Sequence, residues 1–106
     1  MMTESEFLQL SDAIFDRIEA AIDAQGLDAD TLRQGNVLEI EFDGGDKVIV
    51  NRHAANQEMW IAARSGGYHF SRRDGGWIAS RDGAEFFATL AEAIRAGSGE
   101  PFAFAD

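Results

Sequence analysis

Three adjacent glycine pairs, Gly44-Gly45, Gly66-Gly67 and Gly75-Gly76, cut the middle of the chain into segments only a few residues long. Turns this short join antiparallel strands, because a parallel pair needs a crossover of a dozen or more residues. The segments between them have strand character. Leu38, Ile40 and Phe42 alternate with Glu39, Glu41 and Asp43, and the loop Asp43-Gly44-Gly45-Asp46 returns the chain into residues 47–51. This pattern predicts a hairpin, and residues 57–63, 68–71 and 77–80 continue it as a meander of five strands.

A helix is predicted on each side of the meander. Thr3 and Glu6 form a capping-box pair with Met2 and Phe7 placed as a hydrophobic staple, so the first helix begins near Glu4. Phe7, Leu10, Ile14, Ile18, Ala21 and Ile22 recur at helical spacing on one face, and Gly26 supplies the stop. Asp82 with Glu85 is expected to cap a second helix bearing Phe86, Phe87, Leu90 and Ile94, which Gly97 ends. The tail from Ser98 reads as loose. The fold class implied is α+β, two helices packed on one face of an antiparallel β-sheet in the order α-β-β-β-β-β-α, as one domain over residues 1–106.

Composition closes several chemistries. The chain has no cysteine, which removes disulfides, thiolate metal sites and a cysteine nucleophile. No apolar run reaches the length of a membrane span, and the N-terminus has neither signal nor transit character, so a cytoplasmic protein is expected. The formal net charge of −10 opposes binding to nucleic acid or anionic lipid. That charge is uneven. Residues 1–46 hold 12 acids against Arg17 and Arg33, whereas residues 47–106 hold 7 acids and 7 bases.

On the first helix, Asp12, Asp16, Glu19 and Asp23 fall in one band opposite the apolar face. An ordinary solvated face would mix bases with these acids at i,i+4. Here the neighbours are alike in charge, each pair costing about 0.2–0.5 kcal/mol, with no base expected to relieve them. Asp23 also lies in the last turn, where the helix dipole favours a cation. The stripe continues through Asp28 and Asp30 into Glu39, Glu41 and Asp43, and these merge into one acidic ridge if the first strand of the hairpin lies beside the helix. An all-oxygen ridge without His or Cys suits hard cations, and ligands strung along an open helix face leave most coordination positions to water. Binding should then be weak and exchangeable. The bland alternative is a solvated surface.

No catalytic signature is present: there is no G-x-S-x-G, P-loop, H-E-x-x-H or strand-linked G-x-G-x-x-G, and the chain does not read as an enzyme. His53 and His69 read as structural hydrogen-bonding residues rather than ligands. Trp60 shares a strand face with Glu58 and Ala62, which points it away from the helices, either as an interface anchor or packed across the sheet on Ile49. Trp77 reads as core.

Taken together, Ser5-Glu6-Phe7, Asn51-Arg52, Gln57 followed by Trp60-Ile61, Gly66-Gly67-Tyr68-His69-Phe70, Trp77-Ile78 and Gly83 with Phe86 resemble the frataxin family in its bacterial branch, from about Ser5 to Ile94. The resemblance implies a compact sandwich of two helices over a sheet. It also implies an iron-binding protein of iron–sulfur cluster assembly that associates with the cysteine desulfurase and its scaffold protein and modulates cluster formation or supplies iron. The expected cargo is Fe²⁺ or Fe³⁺, with other hard divalent cations as substitutes. The family's metal and partner-binding acids match Asp12, Glu19 and Asp23, with Asp16, Asp28 and Asp30 nearby, and the ridge would present Glu19, Asp23, Glu39 and Glu41 to the partner. Its exposed sheet residues match Asn51, Gln57 and Trp60. Ala20 and Ala24 stand where relatives often add carboxylates, which implies lower metal capacity here. The expected state is a monomer able to assemble further with metal. The competing reading is an acidic interaction module that regulates a basic partner enzyme, with metal incidental.

Overall fold

The computed structural model describes residues 2–105. Helix α1 spans Glu4–Ala24 and starts where expected: the Thr3 amide donates to Glu6 Oε1 at 2.9 Å and the Glu6 amide to Thr3 Oγ1 at 3.1 Å, closing the capping box. Six strands follow, β1 (Ala29–Gln34), β2 (Val37–Phe42), β3 (Lys47–His53), β4 (Glu58–Ala63), β5 (Gly66–Arg73) and β6 (Gly76–Ile78), and helix α2 (Phe86–Ser98) ends the order. The strands form one antiparallel sheet in sequence order, β1 to β6.

Strand alternation sets the core. Leu38, Ile40 and Phe42 of β2, Val48 and Val50 of β3, Met59 and Ile61 of β4, Phe70 of β5 and Trp77 of β6 are all buried on the face that meets the helices. Phe7, Ile14, Phe15, Ile18 and Ile22 of α1 and Phe86, Leu90 and Ile94 of α2 fill the same cluster. The α+β sandwich is as the sequence predicts.

Three details differ. The meander has six strands, not five, because the polar connection after α1 contains β1, which pairs with β2 from Ala29↔Phe42 to Gln34↔Val37. Its one large apolar residue, Leu32, is 55% exposed, so no apolar alternation marks it; a charged, polar edge strand is a common guard against pairing with other chains. The capping residue of α2 is Glu85 rather than Asp82: the Glu85 carboxylate accepts from the Phe87 amide at 2.9 Å and the Ala88 amide at 3.0 Å, while Asp82 accepts from Ala84 in the preceding turn. The helix also runs through Gly97 to Ser98, with left-handed Gly99 as its cap. Gly97 is there for close approach, since a Cβ at that position would run into the buried Phe42 ring.

The tail is not loose. Phe102 is buried, Arg95 Nη1 donates to its carbonyl at 2.9 Å, and Gln25 exchanges two hydrogen bonds with Ala103, at 2.7 and 3.2 Å. Arg17 lies 4.0 Å from the Phe87 ring centroid and donates to the Ala105 carbonyl, so the tail is tied across both helices.

Candidate functional site

The acids of α1 do project along one line, but a base does lie on them. Arg33 stands on the helix-facing side of β1, opposite Leu38 of β2. Its guanidinium reaches Asp16 at 2.7 Å, Asp12 at 3.1 Å and Glu19 at 3.3 Å. Arg52, from the inner face of β3, also pairs with Asp12, and it donates to Ser11 Oγ and Asn36 Oδ1. Both guanidiniums sit over the buried Phe15 ring, at 5.1 and 5.5 Å from its centroid. The expectation that nothing relieves the stripe fails because it depended on the connection after α1 being unstructured. Once that segment is a strand, its alternation delivers Arg33 to the helix.

These contacts shift the titrations. The hydrogen bond and charge of Arg52, then the hydrogen bond and charge of Arg33, hold the Asp12 carboxyl below the usual aspartate range. Hydrogen bonds to Asp16 and then Glu19 raise Arg33 further above its ordinary value. A carboxyl depressed in the folded state contributes stability that is present above its unfolded pKa and is lost as pH falls through the folded one. Asp12→Asn is therefore expected to flatten the acid loss of stability that sets in below about pH 4. Urea midpoints at pH 7 and pH 3 read this directly, and an equal drop in both proteins would refute it.

The rest of the acids divide into two groups. Glu19, Asp23 and Asp28 line an open depression of about 420 Å³ where α1 ends and β1 begins, shared with Ile22, Leu27 and Thr31. Among the described residues Asp23 and Asp28 have no ion-pair partner. Asp30, Glu39 and Glu41 lie instead on the outer face of the sheet, where Asp30 is opposite Glu41. There Glu39 meets Lys47 at 2.6 Å, and Glu39 and then Glu41 raise the Lys47 pKa. The single merged ridge does not form, because Glu39 and Glu41 alternate with the buried residues of β2 and, with Asp30 across from Glu41, project from the sheet face opposite the one that packs on α1. Among the described residues no group of three or more Asp, Glu or His side chains is gathered closely enough to hold a metal ion. The oxygen donors are of the right kind for a hard cation, but those of Asp12, Asp16 and Glu19 are already engaged by Arg33.

The outer sheet face carries a second arrangement. Asn51, Trp60 and His69 are cross-strand partners on β3, β4 and β5. Trp60 does not stand free, and the residue opposite it is Asn51, with Ile49 opposite Ala62. Its indole is stacked between His53, at 4.3 Å and 4°, and His69, at 4.1 Å and 13°, and its Nε1 donates to Glu58 Oε1 at 2.8 Å. Both histidines act as stacking partners rather than the hydrogen-bonding residues expected, and His53 Nδ1 is buried with no partner. The signal was present in the spacing: His53 precedes β4 by one short turn, and His69 lies two positions into the Gly66-Gly67 return. Gln57 is not brought to this face. It takes a left-handed φ of 52° in the turn and donates its amide to the Met2 carbonyl at 2.6 Å. No described helix is long and apolar enough to cross a membrane.

Comparison with known proteins agrees with this architecture. The model of the frataxin-like domain matches residues 1–100. The chain is 88% identical over 104 residues to the iron-sulfur cluster assembly protein CyaY of Chromobacterium violaceum, covering 98% of this chain and 99% of that one. Among solved structures it resembles frataxin from Psychromonas ingrahamii with a TM-score of 0.92 and 36% identity, over 99% of this chain and all of the other. It shares the fold alone with a trimeric frataxin from the yeast Saccharomyces cerevisiae, complexed with ferrous iron, at a TM-score of 0.70 and 21% identity over 94% of this chain and 89% of that one. With the family model covering nearly the whole sequence and the sandwich shared at so high a TM-score, this chain belongs to the frataxin family, in its bacterial CyaY branch.

Proposed function

We propose that this protein serves iron–sulfur cluster assembly in the cytoplasm by gathering iron weakly at its carboxylates and docking on the cysteine desulfurase and scaffold protein, whose activity it modulates without being an enzyme itself. The observation that carries the reading is the concentration of acids on α1 and β1, with Asp23 and Asp28 unpaired among the described residues beside Glu19. An open carboxylate depression leaves several coordination positions to water, which is the condition for a cargo ion that must be handed on. Iron is the fitting cargo because the relatives are iron–sulfur cluster assembly proteins and the yeast member was complexed with ferrous iron. The summed field of the acids steers a basic partner surface, and the outer face with Asn51 and Trp60 offers the scaffold a flat, partly aromatic patch. Asp12, Asp16 and Asp30 widen the field and take a lesser part in holding the ion.

The competing reading, an interaction module with metal incidental, is favoured by one specific observation: Arg33 already engages three of the acids. An anaerobic NMR titration separates the two. With Fe²⁺, amides of residues 19–30 are expected to broaden while residues 68–78 stay almost unchanged. With the desulfurase, the acidic elements should respond whether or not iron is present. A response to iron centred on His53 or His69 would overturn the carboxylate assignment, and a response to the desulfurase alone would leave only the interaction module.

A further inference from the structure

We propose that Arg33 is a tethered counter-cation that occupies the carboxylate stripe, so that a hard cation binds Asp12, Asp16 and Glu19 only by displacing it, and the occupancy of this stripe is coupled to the anchoring of edge strand β1 on α1. This rests on the iron-gathering reading and adds to it the residue that sets how much of the acidic surface is open.

The geometry has three parts. The guanidinium lies within 3.3 Å of an oxygen on each of three carboxylates that span two turns of α1, so one side chain neutralises charge that would otherwise attract a cation there. It is held there from below by the buried Phe15 ring, and the side chain is only 29% exposed. A planar fork with fixed donors suits several oxygens at once in a way that an ammonium does not. Arg33 is also the only side chain of β1 that forms an ion pair with α1 among the described residues. Displacing it removes that tie, and by thermodynamic reciprocity whatever strengthens the tie weakens the cation. The acids at the C-terminal end of the stripe lie outside its reach: Asp23 and Asp28 make no such contact and stay available.

The test uses Mn²⁺, a hard divalent probe that broadens nearby amides, on the full chain at low ionic strength. In the wild type, broadening should centre on residues 19–28. In Arg33→Gln it should extend to residues 12–16, with affinity rising about tenfold, the order expected when one unit charge about 5 Å from a divalent ion is removed in fully water-screened surroundings. Arg33→Lys should fall between the two, and it serves as the folded comparison if the glutamine variant melts early. Arg64→Gln makes the same change in net charge far from the stripe, where Arg64 is 87% exposed beside Asp46. It should change affinity less than twofold. Hydrogen exchange of the Thr31 to Gln34 amides should quicken when Mn²⁺ is added to the wild type at saturating concentration.

If the wild type responds at residues 19–28 and Arg33→Gln shows the same footprint and an affinity within twofold, Arg33 does not gate the stripe: this inference falls and the iron reading stands. A response over residues 12–19 in Arg33→Gln with none in the wild type supports the gate and removes the iron reading. Silence in both proteins removes both, and an equal gain in Arg64→Gln would reduce the effect to net charge and overturn the proposal.

Discussion

Replacing Phe102 by alanine is expected to lower the unfolding free energy by about 3 kcal/mol and the melting temperature by about 10–20 °C, although the residue lies in the last five of the chain. Phe102 is 4% exposed. Its ring meets Phe104 edge to face at 5.1 Å, and Phe104 meets Phe87 at 5.0 Å, so the substitution removes the first member of a chain of aromatic contacts reaching α2. Polar contacts fix the same segment from both helices, through Arg95 to the Phe102 carbonyl and Gln25 to Ala103. Phe104→Ala, at a half-buried position, should cost about half as much. Urea unfolding followed by circular dichroism reads both. An unchanged slope with a shifted midpoint marks a true loss of stability. A cost under 1 kcal/mol for Phe102→Ala would mean that the tail frays in solution and the docked segment contributes little.

That tail was not legible in the sequence for a physical reason. Gly97, Ser98, Gly99 and Pro101 are each a local signal for chain that leaves a helix, but the helix runs through the first two and stops only at Gly99, which takes a left-handed φ of 72°. Where the chain goes afterwards is decided by Phe102 and by partners on α1 and α2 that are distant in sequence. Helix α1 is the opposite case. Its capping box, staple and apolar period all point one way, and it begins at Glu4 as expected.

Strand β1 and Arg33 were missed together, and the two misses are one. An edge strand is held by backbone pairing to a single neighbour, so its side chains need not alternate in polarity, and Asp30, Thr31, Arg33 and Gln34 do not. The available cue was Gly35-Asn36, a two-residue turn between Gln34 and Val37 in which Gly35 takes a φ of 59°. Reading that turn as a hairpin fixes the parity of β1 and places Arg33 on the helix side. Without the strand, the α1 stripe looks unrelieved and continuous with Glu39 and Glu41. With it, part of the stripe is neutralised and the outer acids belong to another face.

Trp60→Ala is expected to have two separable effects, because the structure gives the indole both a packing role and an exposed edge. Its stacking on His53 and His69 is worth about 0.5–1.5 kcal/mol for each ring pair, so stability should fall by about 1–3 kcal/mol, no more than the lower end of the 3–5 kcal/mol typical of a core aromatic. The half-buried ring has both faces covered by imidazoles and its N–H held by Glu58, so its orientation is fixed before any partner would meet it. A rigid aromatic of this kind loses little entropy on docking. Removing it should speed dissociation of the scaffold protein by about 30-fold, the equivalent of about 2 kcal/mol, with little change in association rate. The double change of His53 and His69 to alanine keeps the indole but frees it. That variant should lose a similar amount of stability and only part of the affinity, since the anchor survives while its orientation is no longer fixed. Off-rates measured on protein shown to be folded at the assay temperature distinguish these outcomes. Wild-type dissociation from Trp60→Ala would confine Trp60 to holding the sheet surface, and a stability loss above 3 kcal/mol would place it with the core instead.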